Sequence, residues 1–407
     1  MSSIKNKKQW LFLLLAFFAL GAFYPFVHNY LFFGDLKVYI SLFFLLVWLV
    51  LMLVVNKRII LPVGVFNRIV FIQIIFLFFA GIIYDSEFIY IQMLNLGLSW
   101  VFLWVLLNTI SIRFFIKNFI RANLLSSILI FIGTIVFVTG KLSIVNEFKY
   151  QNTTIINFGF FFVKKAAEIE NQFRPAGYYD EAGSFAFVVM FLLLLNRKYF
   201  QNLKWEYTLL FLPLFTTSMA HIFTIFVFGL LFYLNKKNIL KNLLTIGILA
   251  AIVIIFANNF SSDNTENLKQ KTIERFSDFI SGGEDAGRQG GLDLGSKIFN
   301  KNLFGISKEE VSRDYPLFVH ETYWGPLIYF GILGIGFYVL PFLYIGFNAI
   351  KNKDKNTVFM LLLVFINLLQ RPYYLSPLFI ILIYSLFFHK NMPTHNSRKK
   401  LTNFIER

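Results

Sequence analysis

Three separate stretches of the chain combine cationic, glycine and aromatic residues in patterns suited to binding an anion or moving a proton. The first stretch, residues 173–186, reads Phe-Arg-Pro-Ala-Gly-Tyr-Tyr-Asp-Glu-Ala-Gly-Ser-Phe-Ala and leads into an apolar run. An arginine fixed by a proline and a glycine can bind a phosphate through paired hydrogen bonds. Arg174 is therefore a candidate phosphate ligand, and the alternative is an ion pair with Asp180 or Glu181.

The second stretch surrounds one arginine with glycines. Residues 281–291 read Ser-Gly-Gly-Glu-Asp-Ala-Gly-Arg-Gln-Gly-Gly. Glycines let backbone N–H groups face an anion while Arg288 supplies positive charge. The stretch lacks the Gly-Lys-Ser/Thr ending and the preceding strand of a nucleotide P-loop, so ATP binding is unsupported. The alternative for these glycines is a flexible linker.

The third stretch, His320-Glu321-Thr322-Tyr323-Trp324-Gly325, lies where a long polar segment meets an apolar run. A neutral imidazole at this point can take a proton from a sugar hydroxyl, and Glu321 is near enough in sequence to tune it. The alternative is an interfacial histidine that caps a helix. The other four histidines are assigned to boundaries, the tail and a turn: His28, His389, His395 and His221.

The composition shows what kind of element must position these residues. The 407-residue chain is 57% hydrophobic and only 15% charged, with a mean hydropathy of +0.64, which excludes a soluble enzyme. The net charge of +16 does not indicate nucleic acid, because Lys and Arg occur in short tufts between apolar runs. The lack of Cys excludes disulfides, thiolate metal sites and a Cys nucleophile.

Apolar runs long enough to cross a membrane recur along the chain, which predicts a polytopic membrane protein. The run at 207–234 has basic residues on both flanks, so the positive-inside rule predicts a helical hairpin that turns near Thr217 to His221. This gives about twelve transmembrane helices with both termini in the cytoplasm. The runs are 10–33, 38–55, 69–84, 88–107, 124–140, 183–196, 207–234, 242–257, 322–350, 356–370 and 375–388.

The distribution of charge agrees with this topology. The cytoplasmic segments hold 23 Lys and Arg against 3 Asp and Glu, and the outer segments hold 15 against 19, which together account for all 38 basic and 22 acidic residues. No ionisable Lys, Arg, Asp or Glu is left for a span interior. Ion-coupled transporters usually place such charges there, so a secondary transporter is disfavoured.

The predicted organisation is one membrane domain, residues 1–407, with two long outer loops at 141–182 and 258–321 and a basic cytoplasmic tail at 389–407. Long loops without an obvious strand pattern are more often functional than structural, so we expect any chemistry to lie in them. Helical spacing of apolar and charged residues predicts a short surface helix within each loop, at 162–173 and 296–304.

Taken in order, the three stretches resemble the bacterial O-antigen polymerase and O-antigen ligase superfamily, over roughly residues 170 to 340. In that family an outer loop ends in Arg-x-x-Gly with an aromatic residue before a span, which looks like residues 174–186. A second Arg, a helix and an Asn-Pro-Leu-x-Gly-like stretch are similar to Arg288 and 302–305. A His-Asn pair before a Gly-Leu-Leu-Gly span is similar to 320–334, although Glu321 replaces the Asn and residues 180–183 replace a Pro-Asn element.

The resemblance implies an all-α, GT-C-like membrane glycosyltransferase of the bacterial cytoplasmic membrane, acting on its outer face without a metal or cofactor. In the implied reaction, a hydroxyl of an incoming lipid-linked repeat unit attacks the anomeric carbon of the growing glycan, and polyprenyl pyrophosphate leaves. Arg174 and Arg288 would neutralise the pyrophosphate, and His320 would orient or deprotonate the hydroxyl.

The same resemblance implies the remaining site residues and partners. Tyr178, Tyr179 and Tyr323 would stack on sugar rings, with Glu321 beside them, although aromatic residues at a membrane boundary also serve as interfacial anchors. The implied partners are the lipid bilayer, a polyprenyl-pyrophosphate-linked oligosaccharide, a flippase and a chain-length regulator, with no nucleic acid.

Two rival functions remain open. The ligase uses the same donor and transfers the glycan to lipid A core, and the motifs do not separate it from the polymerase. A lipid-linked oligosaccharide flippase would be expected to have short loops and a charged central cavity. Glycoside hydrolysis needs two carboxylates across one bond, and nothing in the sequence pairs the outer carboxylates: Asp180, Glu181, Glu284, Asp285 and Asp293.

Overall fold

In the computed structural model the chain is mostly helical, and the described part of it contains five helices long and apolar enough to cross a membrane. This is the architecture of a helical membrane protein. The five helices occupy Gly34–Val55, Gly64–Tyr84, Glu87–Thr109, Ile112–Val136 and Ala182–Tyr199.

The structure describes residues 2–23, 25–26, 28–55, 59–62, 64–84, 86–138, 143–150, 153–159, 162–165, 175–179, 181–216, 218–233, 286–316, 318, 324–370 and 376–389, and for some of them only the backbone.

The first half of the chain contains six helices and a small sheet. The helices are α1 (Ser2–Leu20), α2 (His28–Phe33), α3 (Lys37–Val55), α4 (Gly64–Tyr84), α5 (Glu87–Thr109) and α6 (Ile112–Val138). The strands β1 (Asn146–Tyr150), β2 (Thr153–Asn157) and β3 (Phe162–Lys165) pair antiparallel in the order β1-β2-β3.

In the second half of the chain, the described regular elements are helices joined by short connections. Its helices are α7 (Ala182–Tyr199), α8 (Leu203–Phe211) with a 3-10 turn (Leu212–Thr216), α9 (Met219–Tyr233), α10 (Ala286–Lys301), α11 (Lys308–Asp314), α12 (Trp324–Lys351), α13 (Lys355–Gln370) and α14 (Pro377–Ile383) with a π-helical turn (Tyr384–Phe388). In α7 every residue from Ala182 to Asn196 is buried, because this helix is apolar on all sides and packs in the centre of the bundle.

The basic helix ends meet on one side of the bundle. Lys198, at the end of α7, donates hydrogen bonds of 2.6–3.0 Å to three main-chain carbonyls of residues 385, 386 and 389. Phe66, near the start of α4, contacts the rings of Tyr384 and Phe388 at the same place. Arg113, near the start of α6, lies 5.6 Å from the ring of Phe200. The opposite ends of α4, α6 and α7 therefore define the other side.

The predicted hairpin is confirmed. The Tyr233 hydroxyl, at the end of α9, donates to the Glu206 carboxylate near the start of α8, and His221 hydrogen-bonds the Leu210 carbonyl at 2.9 Å near the turn. Arg197 of α7 pairs with Glu206 at 2.6 Å and lies over the ring of Phe232 at 4.4 Å. The α8 and α9 arms thus run antiparallel, and an ion pair holds their ends against α7.

The apolar run at 10–33 is not one helix, contrary to our prediction. Helix α1 ends at Leu20, and the chain folds back so that α2 lies against it. A Cβ on Gly21 would overlap His28 Nε2, so glycine permits this close approach. Asn29 Nδ2 donates to the Phe18 carbonyl at 2.7 Å, which ties α2 to one of the last carbonyls of α1.

The other predicted elements had mixed outcomes. The helix expected over 162–173 is contradicted by strand β3 at 162–165, and residues 166–173 lie outside the described residues. Helix α6 begins at Ile112, twelve residues before the apolar run, because its first turns are amphipathic rather than uniformly apolar. The helix expected over 296–304 is confirmed in part, since α10 extends from Ala286 to Lys301. The predicted span at 242–257 lies outside the described residues.

Candidate functional site

Residues 175–179 lie against the middle of α6. The Tyr179 hydroxyl donates a 2.7 Å hydrogen bond to Asn123 Oδ1, and both side chains are fully buried. Gly177 has a φ of +65°, and a Cβ there would overlap Ser126 Oγ, so this position requires glycine. At 1.5 Å per residue, Asn123 is about 16 Å along α6 from Ile112. The segment therefore enters the helix bundle from the start of α7, on the side opposite the basic helix ends.

Two stacked tyrosines form the inner end of this segment. The rings of Tyr178 and Tyr179 are 4.8 Å apart, and Phe26 stacks on Tyr179 at 5.4 Å. Phe26 and Tyr179 also form an antiparallel β-bridge, which ties the α1–α2 connection to the segment. Burial raises the pKa of the Tyr178 and Tyr179 phenols, so both remain neutral hydroxyl donors.

The two tyrosines differ in the use of their hydroxyl groups. Tyr179 is 0% exposed and its hydroxyl is bound to Asn123, so its ring and hydroxyl hold the segment in place. Tyr178 Oη and Ser126 Oγ are buried atoms without a hydrogen-bond partner in the part of the chain that the structure describes. The Tyr178 hydroxyl also interacts with the neighbouring Tyr179 hydroxyl, so it is not an isolated group, but it keeps hydrogen-bonding capacity for a ligand.

A second group of contacts joins the two later sequence stretches. Helix α12 is broken at Gly331, whose φ of 58° and ψ of −153° are accessible essentially only to glycine. The main chain of residues 303–306 packs into this break, where Ile332 N donates to the Leu303 carbonyl at 2.8 Å and Ile306 N donates to the Ile328 carbonyl at 3.0 Å. The Asn302–Gly305 and Gly331–Gly334 stretches therefore meet in space.

Helix α10, which carries Arg288, packs against the start of α12. A Cβ on Gly295 would lie 2.6 Å from Trp324 Cγ, and the rings of Phe299 and Trp324 are 5.8 Å apart. Trp324 follows His320 by four residues. The helix that carries the second stretch therefore contacts Trp324, the first described residue of the third stretch.

Residues 304–309, within the second predicted outer loop, are fixed to the adjoining ends of α4 and α5. The Tyr84 hydroxyl donates to the Phe304 carbonyl. Ser86 Oγ donates to Glu309 Oε2 at 3.0 Å, and Lys308 Nζ lies 4.5 Å from the Phe88 ring centroid. Tyr84 lies at the end of α4 away from the basic side, so residues 302–309 lie on the same side of the bundle as residues 175–181.

The polar residues beside the first segment were not predicted. Asn123 and Ser126, and with them Ser127 and Thr134, form a buried polar stripe on α6. Their spacing of three, four and seven residues places them on one face of an apolar helix, which was a usable signal. His28, assigned to a boundary, is buried with its Nε2 3.1 Å from the Phe17 carbonyl, and its ring lies 5.6 Å from Phe26.

The structure describes some of the predicted site residues and not others. Tyr178 and Tyr179 are placed as above. The backbone of Arg288 lies in the first turn of α10, and its side chain lies outside the description. Four predicted site residues also lie outside the described residues: Arg174, His320, Glu321 and Tyr323.

In the described residues, no group of three or more His, Cys, Asp or Glu side chains is arranged to hold a metal ion. No family model, curated protein or solved structure matches this chain. The class of the protein therefore follows from its fold, a helical membrane protein with glycine-dependent contacts on one side of its bundle.

Proposed function

We propose that the protein is a polymerase of O-antigen or capsular polysaccharide repeat units. It has about twelve transmembrane helices in a GT-C-like arrangement, with both termini in the cytoplasm and the site on the outer face of the bacterial cytoplasmic membrane. No ATP reaches that face, so the donor carries its own energy as a polyprenyl pyrophosphate. The assignment to the O-antigen polymerase and ligase superfamily is part of this proposal.

In the proposed reaction, an acceptor hydroxyl oxygen attacks the anomeric carbon of the growing glycan. The bond from that carbon to the pyrophosphate oxygen breaks, and polyprenyl pyrophosphate leaves with the electron pair. His320 accepts the hydroxyl proton, while Arg174 and Arg288 bind the negative charge of the leaving group. Tyr178 donates its neutral hydroxyl to the sugar, and Tyr179 holds the segment through Asn123.

The observation that supports this proposal is the position of the glycine-containing stretches. Residues 175–179 enter the bundle on the side opposite the basic helix ends, and residues 302–305 and Gly331, which pack together, lie on that same side. By the positive-inside rule the basic side is cytoplasmic, which makes the side with these stretches the outer one. A transferase that uses a lipid-linked donor needs its polar groups within reach of the membrane surface.

A gel of surface and lipid-linked glycans from a deletion strain tests the proposal. The strain is complemented with wild type, Arg174→Ala, Arg288→Ala or His320→Ala, each at equal membrane abundance. We expect single repeat units without a ladder in the deletion strain and in all three variants. Arg313→Ala is the matched control, because this arginine is exposed in the same loop and pairs only with its neighbour Asp314 in the described contacts; it should restore the full ladder.

The ligase and flippase alternatives predict different band patterns on this gel. A full ladder left on polyprenyl pyrophosphate in the deletion strain would identify a ligase that uses lipid A core as acceptor. Unchanged glycan length and attachment would exclude both enzymes. Repeat units retained on the cytoplasmic face would instead identify a flippase for lipid-linked oligosaccharide.

A further inference from the structure

The first turns of α6 carry a row of positive charges on one face. Arg113, Lys117 and Arg121 are spaced by four residues, so they lie on one face of the helix, and Arg113 and Arg121 are exposed. The same face continues as an exposed apolar stripe that consists of Leu125, Ile128, Ile132 and Ile135. An exposed apolar face on a membrane-spanning helix contacts lipid, so the basic residues face the same lipid layer.

The length of α6 places these charges at the membrane surface. Its 27 residues extend about 40 Å at 1.5 Å per residue, which is about 10 Å more than a hydrocarbon core. The excess lies at the basic end of the helix, where Arg113 and Lys117 reach the headgroup layer directly. Arg121 lies one turn deeper and reaches it by extending its side chain toward the surface.

Helix α1 adds to the same surface. Trp10 is 53% exposed and its ring contacts Phe114 edge-on at 5.4 Å, so α1 lies beside the first turns of α6. Lys7 and Lys8 are exposed about one turn before Trp10. The sequences of α1 and α6 contain no Asp or Glu. The surface formed by Lys7, Lys8, Trp10 and the basic row of α6 is therefore uniformly positive, with an aromatic residue at headgroup depth.

We propose that this surface is a binding site for an anionic phospholipid, with the phosphate held by Arg113, Lys117 and Arg121 and the acyl chains along the apolar stripe from Leu125 onward. These three cations have no carboxylate beside them in α1 or α6, so they bind a lipid of net negative charge in preference to a zwitterionic lipid. The continuous apolar stripe favours a lipid over a free phosphate, because a soluble anion gains nothing from it.

Native mass spectrometry of the purified full-length protein tests this site. The protein is equilibrated with phosphatidylglycerol and phosphatidylcholine of matched acyl chains, and the ratio of retained lipids is measured. We expect wild type to prefer phosphatidylglycerol and the variant Arg113→Gln/Lys117→Gln/Arg121→Gln to lose at least about tenfold of that preference. The control Lys351→Gln/Lys353→Gln/Lys355→Gln removes three exposed charges from the same side and should keep the preference.

Three outcomes would overturn the proposal. They are an unchanged preference in the α6 variant, an equal loss in both triple variants, and displacement of phosphatidylglycerol by millimolar inorganic phosphate. If the α6 triple variant does not fold, Arg121→Gln alone is measured beside Arg121→Lys. Loss in the first and retention in the second is the expected result, and equal ratios in both would contradict the site.

Discussion

The hydroxyl of Tyr179 donates its hydrogen bond to Oδ1 of Asn123, a residue 56 positions earlier in the chain and halfway along a membrane-spanning helix. This contact places residues 175–179, near the end of the first predicted outer loop, inside the bundle. Irregular backbone at membrane depth is tolerated only where protein or a polar cavity surrounds it. The buried polar stripe of α6 provides that environment, with Asn123 as the acceptor for the Tyr179 hydroxyl.

The Tyr179 contact predicts that Tyr178 and Tyr179 contribute differently to the stability of the protein. Tyr179→Phe leaves Asn123 Oδ1 buried without its donor, so we expect the free energy of unfolding to fall by about 1 to 3 kcal/mol. Tyr178→Phe is the matched control and should cost less stability, because the Tyr178 hydroxyl has no hydrogen bond to α6 and interacts only with the Tyr179 hydroxyl in the described contacts. Unfolding of the purified protein in detergent gives both values, and equal losses would contradict the assignment.

The break at Gly331 predicts that this position does not accept a side chain. A Cβ there would overlap the main chain of Leu303, Phe304 and Gly305, and its φ is already unfavourable for other residues. Gly331→Ala should therefore lower the unfolding midpoint strongly or prevent folding.

Gly97→Ala is the control for Gly331→Ala. Gly97 lies in α5 with open space around its Cα, so alanine there should be neutral or stabilise by up to about 1 kcal/mol. If Gly331→Ala matched Gly97→Ala in the same unfolding assay, the docking of residues 303–306 into the break would be wrong.

The buried ion pair predicts that the hairpin of α8 and α9 depends on one carboxylate. Glu206→Gln leaves Arg197 uncompensated among the rings of Phe228, Phe232 and Tyr233, so we expect a loss of about 3 kcal/mol. Asp314→Asn at the exposed pair with Arg313 is the control and should have no measurable effect. Detergent unfolding of both variants is the measurement, and similar small effects would show that Glu206 is replaceable.

His389 predicts a dependence of stability on pH. Burial, and then the positive charge of Lys198, lowers the pKa of His389 below its ordinary value near 6.5. As pH falls through 6.5, the unfolded chain takes up a proton that the folded chain resists, so stability falls. His389→Gln should lose less stability than wild type between pH 7.5 and pH 5.5. Identical pH profiles for the two proteins would argue against a buried neutral imidazole.

Much of the bundle could be predicted from local sequence. Hydropathy located the helices, and the basic flanks of 207–234 predicted the hairpin that the Tyr233–Glu206 contact confirms. Hydropathy could not predict that the chain folds back at Gly21. The mean hydropathy of residues 10–33 is the same whether they form one helix or two. The prediction of a helix at 162–165 was wrong because a run of four residues fits both the helical period of 3.6 residues and the strand period of 2.

The sequence by itself determined that this chain is a helical membrane protein, that its basic ends share a side, and which glycines, arginines and tyrosines are candidates for chemistry. These properties depend on the free energy of transferring consecutive residues from water into lipid, which is a sum over neighbouring residues of the sequence. Only the tertiary structure decided that Tyr179 rather than Tyr178 is bound to Asn123, and that the main chain of residues 303–306 packs into the break at Gly331. Those contacts join residues far apart in the chain, and their geometry depends on how the helices pack rather than on the hydropathy of either partner.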